Sequence, residues 1–124
     1  MKDSNRPRRV AELLHHELAR LLPRELDEPI VHRVTLTGAE VSPDLTHAKI
    51  FFSLLTGSAD AKDAARLLNE AAGHLRHVLR DRVRLKRGVP TLRFVFDESL
   101  ERGARLDALI ERAVRKDREH PDDE

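Results

Sequence analysis

The sequence predicts an α+β domain in which amphipathic helices cover one small three-stranded sheet. Three observations predict it. A segment rich in β-branched residues and one of alternating apolar residues flank the turn-forming "SPDL", and a third strand-like segment, "TLRFVF", stands near residue 91. Around them run stretches whose apolar residues recur at three- and four-residue spacing. At 124 residues the chain can bury one core but not two.

Each element has its own signal. Arg6 to about Arg24 reads as a helix: Pro7 suits a first turn, and Val10, Leu14, Leu18, Leu21 and Leu22 form one apolar stripe. Pro23 and Pro29 bracket its exit. "VHRVTLTGAEV" (31–41) reads as a strand. Val34 and Leu36 share one face, whereas Ala39 and Val41 have the opposite parity, so a β-bulge is expected at Gly38. Ser42, Pro43, Asp44 and Leu45 put proline where a type I turn takes it. "HAKIFFSLL" then alternates Ala48, Ile50, Phe52 and Leu54 with Lys49, Phe51 and Ser53, which completes a hairpin.

"TGSADAKDAARLLNEAA" opens with turn residues and becomes helical, and the helical pattern runs on until "GVP" ends it. The third strand has Leu92, Phe94 and Phe96 on one face. A last helix is expected from about Glu98 to Lys116, with Leu106, Leu109, Ile110, Ala113 and Val114 as its stripe. The acidic end, "DREHPDDE", reads as a frayed tail, giving one domain over 1–117 and a disordered segment at 118–124.

Composition narrows the function. With 40% hydrophobic and 36% charged residues, the chain belongs with soluble globular proteins. No apolar run approaches the roughly 20 residues of a membrane helix, so no membrane partner is expected. Neither is a secretory signal, because "MKDSNRPRRV" has no apolar region behind it. The absence of cysteine suits the cytoplasm and removes thiolate catalysis and cysteine-ligated zinc.

The net charge of +1 conceals a bipolar chain. Residues 76–93 hold Arg76, Arg80, Arg82, Arg84, Lys86, Arg87 and Arg93 against Asp81 alone, while the remainder has 16 basic and 21 acidic residues. Clustered cations raise the local potential and favour a polyanionic partner. A second candidate patch is Arg6, Arg8 and Arg9, which equally suits a solvated helix start.

Enzymatic patterns are missing. The five glycines are scattered, without a phosphate loop, and no cofactor motif appears. His74 and His77 could share a helix face but lack a third ligand at a recognisable spacing, so no metal is expected. Ser42 and Ser53 have no nucleophile-elbow setting. Nucleic-acid binding survives the same inspection, in a particular form. With no Trp or Tyr and four Phe, base stacking is a poor fit. Residues 74–87 contain no Asn, Gln, Ser or Thr to pair with adenine edges, so phosphate and shape recognition is expected.

Gly73 sits where the stripe of Leu68, Ala71, Leu75, Val78 and Leu79 passes, at a cost of roughly 0.5–1 kcal/mol relative to alanine. It can cap one helix, sit inside one long helix, or mark a kink; the nearly unbroken phase of the stripe favours the kink. A bend there would aim the following cations in a new direction.

"VTLTGAEVSPDLTHAKIFFSLL" and "LNEAAGHLRHVLRDRVRLKRGVPTLRFVFDES" closely resemble the ribosome-binding factor A family over roughly Arg6 to Lys116. The resemblance implies a KH-type domain of type II arrangement, in which an Ala-x-Gly kink, here Ala71, Ala72 and Gly73, replaces the usual GxxG loop. It implies a monomeric, non-catalytic assembly factor without cofactors, acting in the bacterial cytoplasm and mattering most in cold shock. The implied partners are 16S rRNA, free immature 30S subunits rather than 70S ribosomes, and other late assembly factors including GTPases. Late maturation and processing of 16S rRNA is the implied role. The segment "DREHPDDE" is short and acidic, so RNA contacts by a basic C-terminal extension are not carried over from the resemblance, and Gly88 precedes the Val-Pro pair.

Two other classes stand beside this one: a sequence-nonspecific DNA-binding helix-turn-helix protein, and an adaptor that uses the basic face against an acidic protein. If roughly five phosphates are neutralised, log K should fall with log salt at a slope of about 3.5–4.5.

Overall fold

The computed structural model describes residues 5–99, together with Ile110 and Ala113. Most of the last helix and the tail expected at 118–124 lie outside the described residues; of the expected stripe, Ile110 and Ala113 are described, both helical and exposed. Helix α1 (Arg6–Glu25) leads through a 3-10 turn (Pro29–Arg33) into strand β1 (Val34–Val41) and then β2 (His47–Leu54). A second 3-10 turn (Gly57–Asp60) precedes helix α2 (Ala61–Glu70), helix α3 (Ala72–Arg82) and strand β3 (Thr91–Phe96). The sheet has the order β1-β2-β3, with β1 antiparallel and β3 parallel to β2. This is the KH-type, type II-like order that the resemblance implied, with the two helices α2 and α3 forming the crossover that a parallel pair requires.

The predicted stripes form the core. Val10, Leu14, Leu18, Leu21 and Leu22 are buried, in one cluster with Ile50, Phe52, Leu68, Leu75, Leu79, Leu92 and Phe94. Each fully buried leucine contributes about 1.5–3 kcal/mol relative to an exposed one. The bulge falls between Leu36 and Gly38, leaving Thr37 as the extra residue. It returns Ala39 and Val41 to the side of Leu36, where they pair with Ile50 and Ala48. Phe96 is only partly buried, its ring standing edge-on to that of Phe52 at 5.7 Å between centroids and 67° between planes.

Two boundaries differ from the sequence expectation. Residues 31–33 are not strand: Pro29 starts a 3-10 turn closed by Val31 N–H on the Glu28 carbonyl, which delivers Val31 to the core. The helical pattern also stops earlier, at Arg82. Val83 is extended and buried, its N–H donating to the Leu79 carbonyl, so Arg84 and Arg87 follow the helix rather than ride on it.

Both hairpin and crossover are pinned by local hydrogen bonds. Leu45 N–H donates to the Ser42 carbonyl at 2.8 Å, and Leu45 itself takes a left-handed φ of 65°. Asp44 Oδ1 accepts from Ser42 Oγ (2.7 Å), Thr46 Oγ1 (2.7 Å) and Thr46 N–H (3.1 Å). These donors, the Ser42 hydroxyl foremost, lower the Asp44 pKa from 3.8 to about 2. At the free edge of β3, Asn69 from the end of α2 donates Nδ2–H to the Phe94 carbonyl (3.0 Å) and accepts Phe94 N–H at Oδ1 (2.8 Å).

Two outcomes follow from these contacts. Because its folded pKa is depressed, Asp44 stabilises the native state above about pH 3.8, and that contribution disappears as pH falls towards about 2. Asp44→Ala should therefore lower the melting temperature at pH 6 and leave it unchanged near pH 2, as read by circular dichroism. Asn69→Ala strips both partners from a strand-edge peptide and should cost about 1–3 kcal/mol in urea unfolding.

Candidate nucleic-acid interface

The apolar side of α3, Leu75 and Leu79, is buried against the sheet and α1, so its other side faces water. The helix pair is interrupted at a single residue. Ala71 closes α2 through its N–H on the Leu67 carbonyl at 3.1 Å, and its own carbonyl accepts Leu75 N–H at 2.9 Å to open α3. The break thus lies within the expected Ala71-Ala72-Gly73 triplet but hinges on Ala71, not on Gly73. Ala71 turns the chain without positive φ (φ −86°, ψ −4°). Gly73 is the second residue of α3 and has no left-handed φ. A Cβ there would meet no atom within 4 Å. His74 Nε2, on the same turn, lies 2.7 Å from Glu25 Oε1 and ties the start of α3 to the end of α1.

The predicted cations do not act as one group. Arg80, Arg82, Arg84, Lys86 and Arg87 are exposed, and among the described residues no carboxylate lies within ion-pair distance of them. Arg80, Arg84 and Lys86 line a groove of about 550 Å³ beside Asp81 and Gly88. Gly88 allows this shape: its φ of 80° is a conformation that favours glycine, and its N–H closes a turn on the Leu85 carbonyl. Its turn fixes the lead-in to β3, with Val89 and Pro90 buried behind it.

Arg76 departs from the expectation. Its Nε–H donates to the Val89 carbonyl at 2.8 Å, and the residue is partly buried, so it braces α3 against the approach to β3. Arg93 departs more strongly. Leu92 and Phe94 point into the core, so the alternation of β3 sends Arg93 to the opposite side of the sheet from α3.

The N-terminal arginines also divide. Arg6 lines a narrow crevice with Leu45, Lys86 and Arg87, which joins the start of α1 to the basic segment. Arg8 lies 3.7 Å from Glu12 one turn on, and Arg9 is exposed. The adjacency of Arg6 to residues 85–90 depends on how α1 crosses the sheet, so no spacing in the sequence carries it. Lys49, whose outward position the strand alternation did show, shares the Arg93 face and was not among the expected cations.

A helix-turn-helix reading does not fit this geometry, which puts one residue between α2 and α3 where that motif has a turn of three or four. Fold and surface together define a KH-type domain with an unpaired cationic flank beside its helix break. The family model for ribosome-binding factor A matches residues 6–110. Ribosome-binding factor A of Pseudomonas paraeruginosa is 47% identical over 125 residues, covering 98% of this chain and 96% of its own length. That of Coxiella burnetii is 46% identical over 114 residues, covering 92% and 94%. The chain belongs to the ribosome-binding factor A family.

Solved structures agree in fold. The crystal structure of ribosome-binding factor A from Thermus thermophilus matches with a TM-score of 0.62 at 22% identity, over 72% of this chain and 93% of that one. A Thermus thermophilus ribosome binding factor A homology model fitted into the cryo-EM map of a 30S–RbfA complex matches with a TM-score of 0.52 at 25% identity, over 69% and 93%.

The two classes of arginine can be separated by mutation. Arg76→Ala removes a part-buried hydrogen bond and should cost about 1 kcal/mol in urea unfolding. The joint variant Arg80→Ala/Arg84→Ala should leave the unfolding midpoint unchanged.

Proposed function

We propose that this chain binds the immature 30S subunit through 16S rRNA and promotes late maturation and processing of that RNA, as a cytoplasmic, non-catalytic and monomeric assembly factor. The observation that carries the reading is the exposed run Arg80, Arg82, Arg84, Lys86 and Arg87, uncompensated by any described carboxylate, in a chain of this family. Uncompensated cations on one flank raise the protein's self-repulsion, and a phosphate-lined surface relieves it. The neighbour fitted into a 30S complex supports the same target.

Gly73 supports it further. Neither packing nor backbone conformation in the folded chain calls for glycine at this exposed position. What remains is close approach of a partner's backbone to α3, which a side chain would obstruct. In this reading Ala71, Ala72 and Gly73 form the contact surface of the helix break, and Arg6 lies beside Lys86 and Arg87 at the border of the cations. Residues 1–117 act as one RNA-binding domain, and the acidic segment 118–124 takes no part in phosphate contact. Free 30S particles and late-acting GTPases are the expected associates, and 70S ribosomes are not.

Sedimentation of cell extract tests the reading: the chain should travel with free small subunits and leave that fraction after ribonuclease treatment. Gly73→Val should weaken the association by roughly tenfold, about 1.4 kcal/mol, with little change in melting temperature. Unchanged cosedimentation of that variant would remove the helix break from the interface, and a ribonuclease-resistant complex would overturn the RNA reading.

A further inference from the structure

Among the described residues, the helices pack on one face of the sheet and the other face is turned away from them. On the second face Lys49 and Arg93 are register partners across the parallel β2–β3 pairing. Both are exposed, and each is flanked in sequence by core residues: Ala48 and Ile50 for the first, Leu92 and Phe94 for the second. Neighbouring strands run about 4.8 Å apart, so two like charges are held side by side, an arrangement that destabilises a sheet when left alone. Glu40 is the β1 partner of Lys49, yet among the described residues no carboxylate forms an ion pair with either cation. Lys49 and Arg93 border a groove of about 630 Å³ that wraps the end of the sheet, with Glu40, Ala48, Leu92 and Asn69 of α2 also in its walls.

We propose that Lys49 and Arg93 form a second phosphate-binding site, on the sheet face opposite the helices, that takes a separate strand segment of the RNA. The proposal rests on the RNA-binding reading above. Charge complementarity selects the occupant: a phosphodiester backbone relieves the Lys49–Arg93 repulsion. The sheet itself separates the two sites. Side chains on opposite faces of a strand point apart, so the few nucleotides lying along α3 and residues 84–87 are not the ones that meet Arg93. A protein with both sites occupied holds two RNA segments in a fixed relation.

Short oligouridylates of about six nucleotides, near the lower limit for one binding surface, provide the test. Donor- and acceptor-labelled copies are mixed at saturation with the full chain. Energy transfer between two oligomers on one protein and a stoichiometry of two are expected. Lys49→Gln/Arg93→Gln should abolish the transfer, leave one oligomer bound, and reduce the salt slope on structured ribosomal RNA by about 1.4. Arg80→Gln/Arg84→Gln/Arg87→Gln should also leave one oligomer, now the one sensitive to the sheet-face change. All these positions are exposed, and thermal melts verify that each variant folds.

A wild-type stoichiometry of one, or two oligomers retained by the Lys49/Arg93 variant, overturns the second site. If only the α3-side variant loses RNA, the second site falls and the RNA reading stands. If neither variant loses any, both fall together.

Discussion

The α2–α3 pair is held by one apolar seam, with Leu68, Leu75 and Leu79 fully buried in the same cluster as Ile50, Phe52 and Phe94. Everything polar about the helices is disposed by that seam. A helix buried along one stripe presents the rest of its circumference to water, and on α3 that remainder carries Arg80 and Arg82 near its C-terminal end. The interruption at Ala71 separates α2 from α3, and both bury leucines in the same core. Arg76 then converts the seam into a brace by reaching the Val89 carbonyl, so the basic segment leaves the helix along a fixed path.

Much of this was legible in the residues, because period and parity are properties of the chain. The α1 stripe is buried as read, and the parity change between Leu36 and Ala39 is the observed bulge, displaced only in that Thr37 supplies the extra residue. What failed to show in the sequence is three-dimensional adjacency. Arg76 and Arg80 look equivalent at a four-residue spacing, and only the path of residues 83–89 supplies a carbonyl to one of them. Arg93 looks like the end of a basic run, yet strand alternation carries it through the sheet. The end of α3 differs from the sequence expectation for a related reason: charged and leucine residues tolerate a helix beyond Arg82, while Val83, Val89 and Pro90 are buried in an extended chain. Tertiary demand overrode local preference there.

Gly73 and Gly88 show how one residue type serves different ends. Gly88 is needed by the backbone, since φ of 80° strains any side chain. Gly73 is needed by nothing within the folded chain. Sequence alone could not separate them, because both stand next to basic residues at a change of direction.

Each edge of the sheet has one peptide group engaged by a side chain. On β1, His15 Nε2 lies 2.9 Å from the Leu36 carbonyl, beside the bulge; on β3, the Asn69 carboxamide meets the Phe94 peptide with donor and acceptor at once. Each imitates what a further strand would offer. A three-stranded sheet with bare borders would be a template for its own copies. Here a side chain already inside the molecule occupies one peptide group on each border, which makes either border a poorer template for a further strand.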